Sequence, residues 1–203
     1  LLDRGWRIVG SDLSAGMLAE AREKFGPEIE LLNLDARELP PIRPAPDRPG
    51  EEAFELVLLL NDVVNYLTED GDLEKAFAGV RRNLDRDQGL IVFDVNSIEL
   101  YRASFDVGVA EEMSEGGVEW RGLSKEIEPG GVFDAELSGA GVEPHIHRQR
   151  HWTIEQVEAA LAASDLRCVA LLGLEEKDGQ ILLSQPADEA RHYKMIFIAE
   201  HQA

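Results

Sequence analysis

A short apolar strand that ends on a carboxylate and runs at once into a helix can bind a ribose, and Ile8–Ala21, IVGSDLSAGMLAEA, has that form with Asp12 at the strand tip. An acid at the carboxyl end of a parallel strand accepts hydrogen bonds from both hydroxyls of a ribose lying across the sheet crevice. Two later apolar runs end in the same way, IELLNLD on Asp35 and FELVLLLND on Asn61-Asp62. Any one of these tips could serve as a helix cap or turn former. In succession they point to one site, because the carboxyl ends of an open parallel sheet line the ligand crevice. A second group lies in HIHRQRHW, where His145, His147 and His151 are candidates for proton transfer near neutral pH. Strand alternation places His145, His147 and Gln149 on one face. Tyr66, just beyond the third strand, is a candidate orienter, so Tyr66 and His147 are the catalytic candidates. No carboxylate or cysteine completes a metal set locally, and no metal is expected.

The elements that must hold these residues alternate through the first half. Ser14 caps a helix whose apolar positions are Met17, Leu18, Ala21 and Phe25, and Gly26-Pro27 ends it. Pro40–Gly50 holds five of the nine prolines and reads as a surface loop. FELVLLLND has the near-continuous apolar pattern of a central parallel strand. Its helix spans about Asp70 to Leu84, with Leu73, Phe77, Val80 and Leu84 on one side, and GLIVFDVNS is the next buried strand. Parallel neighbours need crossover helices, so the expected fold is α/β, a doubly wound and mostly parallel sheet. Gly-rich turns and partial alternation over residues 104–150 suggest an antiparallel β insert on the substrate side, with Trp120 and Trp152 as candidate walls or core. Thr153 and Gln156 form a capping box for a helix, and LRCVALLG and YKMIFIAE read as two final strands joined by a long polar loop. The expected organisation is a core over 1–103, the insert over 104–150, and a closing helix with two strands over 151–203.

Forty acidic against twenty basic residues give a formal charge of −20, which repels phosphate backbones and anionic lipid. Neither nucleic acid nor a membrane is an expected partner, and a homodimer is left open. Cys168, the single cysteine, sits in an apolar run where a buried, inert thiol fits a reducing cytoplasm. No apolar run approaches the ~20 residues of a membrane span.

Through SDLSAGMLAEAR, LDARELP, FELVLLLNDVVNYL, AFAGVRRNL and GLIVFDVNS, the chain resembles class I S-adenosylmethionine-dependent methyltransferases, and HRQRHWTIEQVEAAL resembles a segment of their small-molecule members. The resemblance implies a Rossmann-like methyltransferase fold, S-adenosyl-L-methionine as cofactor and a small-molecule N or O nucleophile as methyl acceptor. It implies that Asp12 binds the ribose hydroxyls and that Leu13 and Met17 pack near the adenosine. Asp35 would accept from the adenine amino group, with Ala36 offering backbone. Asn61 would lie under the methionine part, and Asp62 to Tyr66 would face the methyl group and the acceptor.

One departure is plain. A glycine-rich turn should precede the ribose-binding acid by about 20 positions, and only eleven residues stand before Asp12. The first residue is Leu and the opening five read as a helix end, so the expectation is an N-terminally truncated chain without the glycine-rich first motif and the strand leading into it. Loss of a central strand should leave its neighbours' ladders unpaired or re-paired. Two other readings stay open, a nicotinamide-dependent oxidoreductase and a non-catalytic binding or dimerisation module.

Overall fold

The computed structural model describes residues 1–42, 53–114, 117–139, 141–177 and 179–202, so the greater part of the proline-rich segment lies outside the described residues. Strand β1 (Val9–Asp12) pairs in parallel with β2 (Glu30–Asn33) across helix α1 (Ala15–Phe25), making a separate two-stranded sheet. A five-stranded sheet follows the order β10-β9-β11-β4-β3, from β3 (Leu56–Leu59), β4 (Leu90–Asn96), β9 (Leu166–Lys177), β10 (Gln180–Ser184) and β11 (Lys194–His201). Only β3 and β4 are parallel in it, and the remaining pairs are antiparallel. The parallel β1–β2 and β3–β4 pairs, joined to their crossover helices, make the fold α/β and Rossmann-like.

The core is built on one face of the larger sheet. Helices α2 (Asp72–Asn83) and α4 (Ile154–Ala163) pack there, and Leu73, Phe77, Val80, Val157 and Leu161 meet Ile91, Phe93, Val95 and Phe197. Phe93 stacks parallel to Phe197 at 5.0 Å and is tilted against Phe77 at 5.1 Å. The Thr153 capping box forms as the sequence predicts. On the opposite face of β3, Leu58 and Leu60 stay exposed.

A second, antiparallel sheet runs β5-β6-β7-β8, from β5 (Ala110–Ser114), β6 (Val118–Gly122), β7 (Val132–Gly139) and β8 (Val142–Arg150). It has its own small core, in which Tyr101 and Phe105, on and just after helix α3 (Ile98–Ser104), pack on Phe133, Ala135 and Trp120.

Several local expectations change. The strand β3 read as central is an edge, because among the described residues no strand pairs with its far side and β1 pairs only with β2. The polar loop read between the last two strands contains β10, which forms a hairpin with an extended β9. Its apolar Ile181, Leu182 and Leu183 were hidden in a polar setting. On α1 only Leu18 is buried, while Met17 and Phe25 are exposed, since the small sheet offers the helix a narrow surface. Cys168 is half-buried, and burial pushes its thiol up.

Candidate functional site

The three strand tips are built by different local means, Asp12 and Asp35 on the two-stranded sheet and Asn61-Asp62 after β3 of the larger one. Asp12 closes β1, and its Oδ1 accepts the Ser14 N–H at 2.7 Å while the Ser14 hydroxyl caps α1 by accepting from Met17. Asn33, at the register partner of Asp12, donates to the Asp12 and Leu13 carbonyls and so fixes the turn between strand and helix. Leu13 and Met17 stand exposed, 64% and 60%, beside it. Asp35 lies two residues past β2 and caps a short 3-10 turn, Ala36–Glu38. Its carboxylate is held by the Arg37 guanidinium at 2.6 Å, and that hydrogen bond keeps the group below the ordinary carboxylate value. An adenine amino group would share Asp35 with Arg37.

After β3 the chain turns through Asn61 and Asp62, both left-handed at φ 63° and 67°. Two non-glycine residues in that region cost about 1–3 kcal/mol each, so surrounding contacts must hold them. Asp94 on β4 accepts the Asp62 N–H at 3.3 Å, and Lys194 on β11 donates to both Asp62 and Asp94. Burial pulls the Lys194 ammonium down, but the hydrogen bonds and charges of the two acids outweigh it and keep it above the ordinary lysine value.

The turn feeds a 3-10 helix, Val63–Tyr66, which is stitched to β8. Asn65, fully buried, donates to the Arg150 carbonyl at 2.9 Å and accepts the Asn96 N–H at 3.1 Å. Asn96 donates to Gln149 Oε1 at 3.2 Å, and the Tyr101 hydroxyl lies 3.1 Å from the Arg150 carbonyl. Arg150 binds the Thr68 carbonyl and Asp70 and lies over Trp152 at 4.0 Å, while Trp152 Nε1 donates to the Leu67 carbonyl. Buried polar groups need such partners, and here the partners join the Val63–Tyr66 turn, the end of β4, α3 and β8.

This stitching brings the two catalytic candidates into contact. Tyr66 Oη is 2.6 Å from His147 Nδ1. Burial first, and the neighbouring His145 second, hold His147 below the ordinary imidazole value. Burial raises the Tyr66 phenol. His147 Nε2 is buried and has no protein partner among the described residues, and Trp120 packs on the ring at 5.1 Å. The imidazole is thus oriented by the Tyr66 phenol at Nδ1 and enclosed at Nε2. His151 behaves differently. It is fully buried, takes the Gly130 N–H on Nδ1 and packs edge-on to Tyr101, which is a structural use. No group of three or more His, Cys, Asp or Glu among the described residues is placed to hold a metal ion.

Sequence reasoning did not single out Asp94, Asn96 or Lys194. Their signal was present in the polar end of FDVNS and in the lysine that opens YKMIFIAE, since polar residues ending buried strands need a purpose.

Residues 1–87 match the family model described as a methyltransferase domain. The chain is 25% identical over 169 residues, 79% of its own length, to the protein named Putative methyltransferase YqeM of Bacillus subtilis (strain 168), and spans 65% of that relative. Among solved structures it resembles an S-adenosylmethionine-dependent methyltransferase from Clostridium acetobutylicum ATCC 824, with TM-score 0.73 and 21% identity over 98% of this chain and 76% of that one. It also resembles the sugar N-methyltransferase KedS8 from Streptoalloteichus sp ATCC 53650, with TM-score 0.60 and 20% identity over 96% and 71%. Residues 1–87 thus match a methyltransferase domain, and the chain as a whole has the fold of S-adenosylmethionine-dependent methyltransferases.

Proposed function

We propose that the protein transfers the methyl group of S-adenosyl-L-methionine to a nitrogen or oxygen of a small molecule seated beside the Val63–Tyr66 turn, next to the exposed face of Tyr66. The observation that carries this reading is the Tyr66–His147 contact, which sets a neutral, partly buried imidazole beside the turn that follows β3. Asp12 would hold the ribose hydroxyls. Leu13 and Met17 would cover the adenosine, Asp35 and Ala36 would meet the adenine edge, and Asn61 and Asp62 would lie beneath the methionine part. Bound cofactor supplies an electrophilic methyl on a sulfonium.

Transfer is an in-line displacement, in which the acceptor lone pair bonds to the methyl carbon as the carbon–sulfur bond breaks, leaving a thioether. Positioning supplies most of the rate, up to ~7–11 kcal/mol in well-oriented systems. The chain's own contribution is to orient the acceptor beside Tyr66, whose hydroxyl takes the acceptor's proton as it passes its own to His147 Nδ1. The sugar N-methyltransferase among the structural relatives, and the acidic charge of this chain, favour a small molecule over a nucleic acid as acceptor.

Calorimetric titration of the full-length protein with S-adenosylhomocysteine tests the reading. Saturable binding that weakens tenfold or more in Asp12→Ala is the expected result, from loss of hydrogen bonds to a charged group worth about 1.5–3 kcal/mol. Absence of saturable binding to the unaltered protein overturns it.

A further inference from the structure

The triad of Asp62, Lys194 and Asp94 has a property the methyl-transfer reading does not use. Two carboxylates share one ammonium, so the group carries one net negative charge. Asp94 and Lys194 are well buried, with side chains 4% and 18% exposed, so water screens that charge weakly. Asn96, the register partner of Lys194, adds a buried side-chain oxygen with no protein partner among the described residues. All of these groups lie at one end of β3, β4 and β11, where Asn61 begins the crevice turn. Neighbouring strands are about 4.8 Å apart, so a ligand group seated over the tip of β3 lies within roughly 10 Å of every member.

Resting on the cofactor reading above, we propose that the Asp62–Lys194–Asp94 triad is the specificity determinant by which this crevice favours the cationic sulfonium cofactor over its neutral thioether product. The cofactor loses its positive charge when the methyl group leaves. A fixed negative charge nearby attracts the cation and is indifferent to the thioether. The triad thereby favours loading of the methyl donor and release of the product, with Lys194 limiting the group's net charge to one unit. A purely structural role, in which the triad only holds the left-handed Asn61-Asp62 turn, would change the binding of both ligands alike.

The experiment is calorimetric titration of S-adenosylmethionine and S-adenosylhomocysteine into the full-length protein and two variants. Asp94→Asn removes the net charge, and the preference for the sulfonium over the thioether should fall roughly tenfold, as expected for one unit charge at this range in a partly buried site. Lys194→Gln leaves the charge negative, and the preference should hold or rise. An unchanged preference in Asp94→Asn, or an equal fall in both variants, overturns the proposal. Should Asp94→Asn fail a circular-dichroism test of folding, Asp62→Asn makes the same charge change at a more exposed member, and the same fall is required of it. If neither ligand binds the unaltered protein, the cofactor reading itself fails and the triad proposal falls with it, an outcome distinct from binding of both ligands without charge preference.

Discussion

The Val63–Tyr66 turn holds the proposed acceptor residues and the β1–β2 ribbon the proposed nucleotide residues, and the two are secured by different physics. The turn is bound through buried hydrogen bonds from Asn65, Asn96, Tyr101 and Gln149, with Trp152 and Arg150 closing behind it. Among the described residues the ribbon puts no side chain into the core of the larger sheet; only Ala36 and Leu39, just after β2, pack at its margin. It is tied on by polar contacts to α2, from Asn83 to Pro40 and Ile42, from Arg82 to Leu39 and from Arg37 to Asp72. Gly79 permits this seam, since a Cβ there would stand 2.9 Å from Leu39 Cβ. The turn is thus preorganised by the fold, whereas the ribbon rests on a thin seam, and on the proposed reading bound cofactor should order the ribbon more than the turn.

The comparison is tested most severely at His147. If the acceptor half is a built catalytic surface, His147→Ala lowers kcat by about 10²–10⁴, as removal of a general base does, with a smaller change in cofactor affinity. The unaltered protein should lose activity as pH falls through a value below 6.5, because burial and His145 depress the imidazole and protonation occupies the lone pair. Stability has the same sign. Between the folded value and the unfolded 6.5 the unfolded chain binds more protons, so this group's contribution is complete above 6.5 and is lost as pH falls. A pH–rate profile flat through this range would remove His147 from the mechanism.

Next in size is a contrast within the fold. Phe93→Ala opens a cavity between Phe77 and Phe197 and should cost about 3–5 kcal/mol in denaturant unfolding. Leu31→Ala in the ribbon, where the side chain is only partly buried, should cost well under half of that. Equal losses would mean that the ribbon shares the main core after all.

Asn83→Ala probes the seam directly. It removes two side-chain hydrogen bonds to the Pro40–Ile42 segment and one to Gly79, and leaves a buried site unsatisfied, for about 1–3 kcal/mol. Its signature should be local. Amide hydrogen exchange should quicken in β1, β2 and α1 and stay unchanged in β4 and β11. Uniform quickening would show one cooperative unit instead of a core with an attached ribbon.

The two halves were also legible to different degrees. Strand tips at Asp12 and Asn61-Asp62 could be read because an apolar run followed by a polar residue is a local pattern. Alternation likewise put His147 and Gln149 on one face, and the β8 register agrees. The Tyr66–His147 contact joins residues 81 apart in sequence, and no local pattern encodes a pair of that separation. Lys194 was missed for the same reason, since its partners lie 132 and 100 residues away. The β10 strand was missed because Gln180, Ser184 and the flanking charges gave it a loop's composition. Edge status of β3 was illegible because an apolar pattern reports what a strand could bury, and pairing depends on which strand lies beside it.

Met17 gives the smallest and most discriminating effect. Its side chain is 60% exposed on α1, so Met17→Ala should leave the unfolding free energy within about 0.5 kcal/mol of the unaltered protein. If that exposed surface is covered by the adenosine when cofactor binds, the same variant should weaken S-adenosylhomocysteine severalfold, because about 1 kcal/mol of apolar contact is lost from the complex alone. Weakened binding with unchanged stability would assign the exposed apolar residues of the ribbon to the ligand. A fall in stability with unchanged binding would instead mean that Met17 packs against protein, and would shift the nucleotide contact to Leu13, which is as exposed and stands next to Asp12.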